Sequence, residues 1–267
     1  MKQFARRHRR RSARELRAGE SEVSIMSHIE QLIGRQIELG EIRRRLEQEH
    51  RRPAEGLVEE SRAGPCIAIS REFGSDGTRL ARAVGERLNW KVFDKEIVDE
   101  VARHAHVRNQ LVECVDEPTR SSWRRRESRL STSEVLGRRE YLYHLEQVIL
   151  ALGHLGSAVL VGRGAHLLLA EPSTVRVRVV APLVDRIRRV AEHDHVTLGE
   201  AERRVETVDG ERAAFVRNAF GQEISAAGGY DLVINLGPVF FETATRLVLT
   251  LAREKLGVAT VVEECAR

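Results

Sequence analysis

The fold class this sequence predicts is α/β, a parallel sheet covered by helices on both faces. Three observations predict it. Five short apolar segments alternate with segments of helical spacing between residues 66 and 256. Those segments are rich in β-branched residues and bounded by Gly, Pro or charged clusters, as buried strands are. The first of them runs directly into a Gly-rich turn and a helix, a layout that binds anions.

That first unit is Cys66–Ala81, CIAISREFGSDGTRLA. Cys66–Ser70 reads as a strand, Arg71–Gly77 as the turn, and Thr78–Leu88 as the helix. Backbone N–H groups in such a turn and at the helix N-terminus point at an anion, and the helix dipole adds to the attraction. The phosphate loop GxxxxGK[ST] is the best-known version. Aligned on Gly74, this chain has Gly77 in place of the lysine, with Arg79 near the Ser/Thr position. An ordinary strand–loop–helix unit is the alternative reading. Arg71, Arg79 and Lys95 are the candidates to supply the missing positive charge.

The 267 residues suffice for one or two domains, and 42% hydrophobic with 31% charged content fits a globular protein. No apolar run approaches the roughly 20 residues that span a bilayer. The basic N-terminus lacks the apolar core of a secretory signal, so a cytoplasmic location is expected. Cys66, Cys114 and Cys265 show neither metal spacing nor a disulfide framework, in keeping with a reducing compartment. Residues 1–17 hold eight Lys/Arg and one Glu, a local charge of +7. The overall +4 therefore leaves −3 for the remaining 250 residues.

Taken in order, residues 1–22 predict a disordered basic arm. It reads either as an electrostatic tether to nucleic acid or an anionic surface, or as a solvated tail upstream of an internal start at Met26. Residues 23–52 predict an amphipathic helix whose stripe is Ile25, Leu32, Leu39 and Leu46, with Ile29 and Ile42 beside it. Packing on the domain is favoured over a homodimer, because Gln36 and Arg43 interrupt the second seam a coiled coil needs. Residues 53–65 predict a linker.

Within the domain, Trp90–Phe93 is the second strand and a helix begins near Asp94, which suits an N-cap. Arg138–Gly153 is a long helix. Ala158–Val161 is the third strand, ending in Gly162-Arg163-Gly164. Val175–Val180 is the fourth, with Arg176 and Arg178 unexpected in a buried strand. Pro182 opens the next helix, where proline is tolerated. Thr197–Phe220 is helical and Arg/Glu-rich, with Gly199 and Gly210 as expected breaks. Tyr230–Asn235 is the fifth strand, Thr243–Lys255 the last helix, and Val258–Val262 a candidate sixth strand. In a parallel sheet the turns after strands share one rim. Arg71–Gly77, Asp94–Glu96 and Gly162–Gly164 should therefore converge on one cleft.

Several motifs together resemble the cytidylate kinase-like family, a branch of the P-loop nucleoside monophosphate kinases. They are ISREFGSDGTRLA, FDKEIV, VLVGRGAHLLL, APLVDRIRR, VETVDGERAAFVR and YDLVIN, in that order. The resemblance implies a three-layer P-loop kinase-like fold over residues 66–260, with a five-stranded parallel sheet. It implies a monophosphate-binding insertion at 94–137 and a lid at 197–222. It implies phosphoryl transfer from ATP, with Mg2+, to a nucleoside monophosphate such as CMP or dCMP. Gly74, Ser75, Asp76, Gly77 and Thr78 would form the phosphate loop, flanked by Arg71 and Arg79. Asp94 and Lys95 would begin the acceptor site, and Arg163 would reach the acceptor phosphate. Arg204, Asp209 and Arg212 would lie in the lid, with Arg163, Arg204 and Arg212 as the catalytic cations. No metal ligand of the protein's own is implied. The chain has four lysines against 40 arginines, so phosphate handling falls to arginine. A nucleotide-binding regulator of the same fold, without turnover, is the alternative that the altered loop favours.

Overall fold

A computed structural model describes residues 26–42, 63–104, 108, 111, 136–169 and 171–259. The basic arm, most of the linker and most of the insertion lie outside the described residues. Five strands form one parallel sheet: β1 (Cys66–Arg71), β2 (Lys91–Phe93), β3 (Ala158–Val161), β4 (Thr174–Val180) and β5 (Leu232–Asn235). Their spatial order is β2-β3-β1-β4-β5. Val258 and Ala259 are not in a strand, and the rest of the expected sixth strand lies outside the described residues.

Alternation along β1 builds two cores. Cys66 and Ala68 face one layer, where Phe93, Val101, Ile149 and Leu152 gather. Ile67 and Ile69 face the other, with Leu80, Val84, Val177 and Val248. Helix α1 (residues 26–42), α3 (Lys95–Arg103), α4 (Leu136–Leu155) and the short α5 (Ala165–Leu168) lie on the first face. Between them in the chain, α2 (Gly77–Leu88) takes the second face, which it shares with α8 (Phe241–Leu256). The turns after the neighbouring strands β1 and β3 thus leave toward opposite faces, which opens a crevice at their carboxyl ends. An antiparallel pair, α6 (Leu183–Asp194) and α7 (Leu198–Phe220), covers that rim.

Two sequence expectations are corrected. The buried face of α1 is Ile29, Ile33, Gln36 and Gly40, while Leu39 and Ile42 of the expected stripe are exposed. Gly40 sits against Leu155 where a Cβ would clash, and the Gln36 amide donates to the Gly156 carbonyl. A small residue and a hydrogen bond at the end of α4 therefore decide the docked face. Gly199 and Gly210 do not break α7, which is continuous from its Thr197 cap to Gly221. Both glycines have nothing within 4 Å of where a Cβ would stand, so they cost propensity but no packing.

The arginines of β4 also find their explanation. Val175, Val177 and Val179 fill the second core. Arg176 and Arg178 point to the opposite face, where Arg176 meets Glu171 and Asp231 and Arg178 donates to Ser70 Oγ at 2.8 Å.

Candidate active site

The crevice holds a cavity of about 290 Å³. Ser70 and Arg71 from β1 and the Gly162–Gly164 turn from β3 form its floor. Lys95 and Glu96 of α3 form one wall, and Glu211, Arg212 and Phe215 of α7 cover it. The three turns expected to converge therefore do so, and α7 joins them.

At the phosphate-loop turn, Asp76 is the N-cap of α2 in the left-handed region (φ 62), with no side-chain cap bond. No acidic residue sits in the first turn of α2, so neither a side-chain cap nor a carboxylate of that turn answers the N–H groups at its N-terminus. Ser75 is fully buried and donates to the Glu72 carbonyl at 2.8 Å, which turns its hydroxyl into the loop. The Asp76 carboxylate stands 3.7 Å from Arg189 Nε. That arginine also donates to the Leu236 carbonyl, so α6 balances the charge that would otherwise repel a phosphate.

A carboxylate from α7 holds the loop from the other side. Phe73 N–H donates to Asp209 Oδ1 at 2.8 Å. Arg186, buried on α6, meets Asp209 Oδ2 at 2.5 Å and Glu72 Oε2 at 3.3 Å. Glu72 in turn accepts from Ala181 N–H. The loop is thus tied to α6 and α7 through one arginine and two carboxylates.

Arg71 is different. Its stem passes over Gly77, where a Cβ would clash, and its Nη1 lies where a Cβ on Gly162 would be. The side chain therefore spans from the loop to the β3 turn, and both glycines are needed for it to pass. Its Nε has no hydrogen-bond partner, and no ion pair joins it to a carboxylate among the described residues. Burial, and next the neighbouring Arg212, push its pKa down to about 10, so it stays a cation at neutral pH. Burial also lowers the pKa of Arg212, which donates to the Arg71 carbonyl at 3.1 Å. Glu96 and Asp94 act on Arg71 in the opposite sense, and the buried Nε remains a donor that an anion in the cavity could use.

Arg163 lies between Gly162 and Gly164, and all three have positive φ (83, 51 and 72). Asp99 of α3 accepts from its Nε at 2.7 Å and from its Nη2. The Phe215 ring lies 5.1 Å from the guanidinium.

The other expected site residues fall elsewhere. Arg79 stacks on Phe241 of α8, 4.2 Å from the ring centre, and does not line the cavity. Arg204 is exposed and paired with Asp194 and Glu200, away from the cavity lining. Asp94 accepts from Ile97 N–H as the N-cap of α3. Asp99, Arg186, His166 and Phe215 were not singled out by the sequence reading. The one available signal was Asp99, a charge among the core-facing Val98, Val101 and Ala102 of an amphipathic helix.

His166 lines the cavity, stacked on Tyr230 with ring centres 4.7 Å apart. Burial, then Arg178 and Arg176, push its pKa down to about 4. Its unfolded value is near 6.5, so the unfolded chain takes up a proton first as pH falls. Stability is complete above that value and declines until the folded group also charges near 4. Acidification across this window should cost about 3 kcal/mol through this residue. Denaturant melts at neutral pH and near pH 4 should show that much less acid sensitivity in His166→Phe, which keeps the stacking.

Residues 66–238 match the model of the cytidylate kinase-like family. The search of curated proteins found no match. Among solved structures, an uncharacterized protein from Eubacterium ventriosum ATCC 27560 is similar at 22% identity and a TM-score of 0.50. The match covers 70% of this chain and 98% of that one. Shikimate kinase from Bacteroides thetaiotaomicron matches at 13% identity and a TM-score of 0.38, over 70% of this chain and 97% of its own. Dephospho-CoA kinase from Campylobacter jejuni matches at 13% and 0.31, over 72% and 97%. No helix among the described residues is long and apolar enough to cross a membrane.

Proposed function

The chain belongs to the cytidylate kinase-like family, with the three-layer P-loop kinase-like fold, and on that premise we propose that it moves the γ-phosphoryl group of ATP to CMP or dCMP. The observation that carries this reading is Arg71. It is an enclosed cation with no ion-paired carboxylate among the described residues, lying between the phosphate loop and the β3 turn with Arg212 and Arg163 near it and Glu96 and Asp94 farther off. Phosphoryl transfer asks for positioning and for cations around the moving group, with little covalent chemistry from the protein. The ATP phosphates would lie over Gly74–Thr78 at the uncapped start of α2. The acceptor would lie in the cavity, its phosphate on Arg163. An acceptor phosphate oxygen then attacks the γ-phosphorus in line and ADP leaves. Arg71 takes the place of the absent lysine, reaching the phosphoryl group from the strand side.

The unsatisfied Arg71 Nε and the uncapped α2 N-terminus fit a polyphosphate. No group of three His, Cys, Asp or Glu able to hold a metal occurs among the described residues. Magnesium would therefore be held mainly by phosphate oxygens and water. The ion would neutralise charge on the phosphates during transfer.

A regulator that binds nucleotide without turnover is the second reading. It is favoured by the Asp209 carboxylate, which already occupies the Phe73 N–H in the loop. A coupled assay for ADP release with each nucleoside monophosphate, beside an ATP-binding titration, separates the two. CMP- or dCMP-dependent ADP release is the expected result. ATP binding with no acceptor-dependent release would reject the kinase reading.

A further inference from the structure

Asp99 carries a charge on the core-facing side of α3, where only 5% of the residue is exposed. A carboxylate survives such burial only when it is paired and hydrogen-bonded. Here Arg163 supplies Nε at 2.7 Å and Nη2, and the Tyr141 hydroxyl of α4 donates to Oδ1 at 2.6 Å. Burial, then the bond to Asp99, raise the Tyr141 pKa well above its ordinary value, so the phenol remains a donor. Arg163 needs the help. Its backbone sits at φ 51, a strained position for a residue with a side chain. Tyr141 of α4 and Arg163 of the β3 turn thus meet on one carboxylate of α3, and Arg163 lies at the cavity. Nη1 is the nitrogen that Asp99 does not engage.

We propose that Asp99, itself oriented by Tyr141, is a positioning residue that aims Arg163 at the phosphate of the acceptor. The inference rests on the proposed function and deepens it. Neither residue need touch a ligand. A loose Arg163 would instead sample several rotamers and hold the acceptor out of line.

The test measures CMP binding by calorimetry and, separately, the KM for CMP, the KM for ATP and kcat. Asp99→Asn keeps the shape of the side chain but removes its charge. It should cost on the order of 10²-fold in kcat/KM for CMP, as misplacement of a positioning group does, and leave the KM for ATP unchanged. Arg163→Lys should be similarly impaired. The double variant should be no worse than Arg163→Lys alone, since the two residues act as one unit. Should Asp99→Asn fail to fold, Tyr141→Phe carries the test, with a smaller shift in the same direction. Wild-type CMP constants in a folded Asp99→Asn or Tyr141→Phe overturn the inference. So do equal losses for ATP and CMP, or additive losses in the double variant. A wild-type chain that binds CMP while the variants do not overturns only the merely structural role. A wild-type chain that binds neither CMP nor dCMP overturns the proposed function and the inference with it.

Discussion

Arg71→Met should lower CMP-dependent turnover by about 10³-fold, the loss seen when a preorganised cation or donor at a transferring group is removed. The same variant should be at least as stable as the wild type. Both signs follow from one arrangement. The Arg71 guanidinium is enclosed beside Arg212 and Arg163, and its Nε has no partner. Folding therefore places a cation in a partly dehydrated spot with no ion-paired carboxylate among the described residues. Methionine keeps the unbranched stem over Gly77 and removes the charge, so it relieves that cost. Arg71→Lys should recover part of the turnover, because it restores a point charge but not the planar fork. Steady-state kinetics with saturating ATP and a denaturant melt decide the matter. Wild-type kcat in Arg71→Met would remove the argument for Arg71 as the substitute for the loop lysine. A large drop in stability would show that Arg71 is instead a structural residue.

Much of this arrangement was legible in the sequence, and the part that was not has a common cause. The strands were readable because each is an apolar run between breakers. Ala158–Val161 was read with the bounds it has, and Cys66–Ser70 falls one residue short of β1. The convergence of residues 71–77, 94–96 and 162–164 followed from topology, since the turns after parallel strands share a rim. The face of helix α1 was read only in part: Ile29 and Leu32 pack on the core, while Leu39 and Ile42 do not, because docking at that end depends on Gly40 and Gln36, which no apolar period marks. The arginines were the harder case. Local sequence gives Arg71, Arg79, Arg186 and Arg204 the same chemistry. Their partners separate them: a ring for Arg79, surface carboxylates for Arg204, two carboxylates and two carbonyls for Arg186, and no ion pair among the described residues for Arg71. The partners of Arg186 stand far off in the chain, Phe73 at 113 residues. Only the folded sheet brings them together.

Arg186→Met should differ from Arg71→Met in the sign of its effect on stability, with a loss of about 3–5 kcal/mol. This side chain is buried and fully engaged. Its Nε donates to the Ala181 carbonyl at 3.0 Å, its Nη1 to the Phe73 carbonyl at 3.3 Å, and Asp209 and Glu72 complete the set. Removing it leaves Glu72 and Asp209 at the base of the loop with only the longer pairs to Arg178, at 4.0 Å, and Arg212, at 3.8 Å. The penalty is that of under-compensated charge in a half-buried place, which exceeds the loss of any one hydrogen bond. A fall in melting temperature of about 10 °C is expected for a domain of this size. The effect should couple to Asp209. In the Asp209→Asn background, Arg186→Met should cost clearly less than in the wild type, because one of the abandoned charges is already gone. Additive losses would mean that Arg186 stabilises through its stem alone. Turnover should fall as well, since the bond from Phe73 N–H to Asp209 and the pair from Asp209 to Arg186 are what fasten α7 to the loop. Arg186 therefore keeps the loop shaped and Arg71 leaves it charged, and substituting each should damage one property while sparing or improving the other only in the case of Arg71.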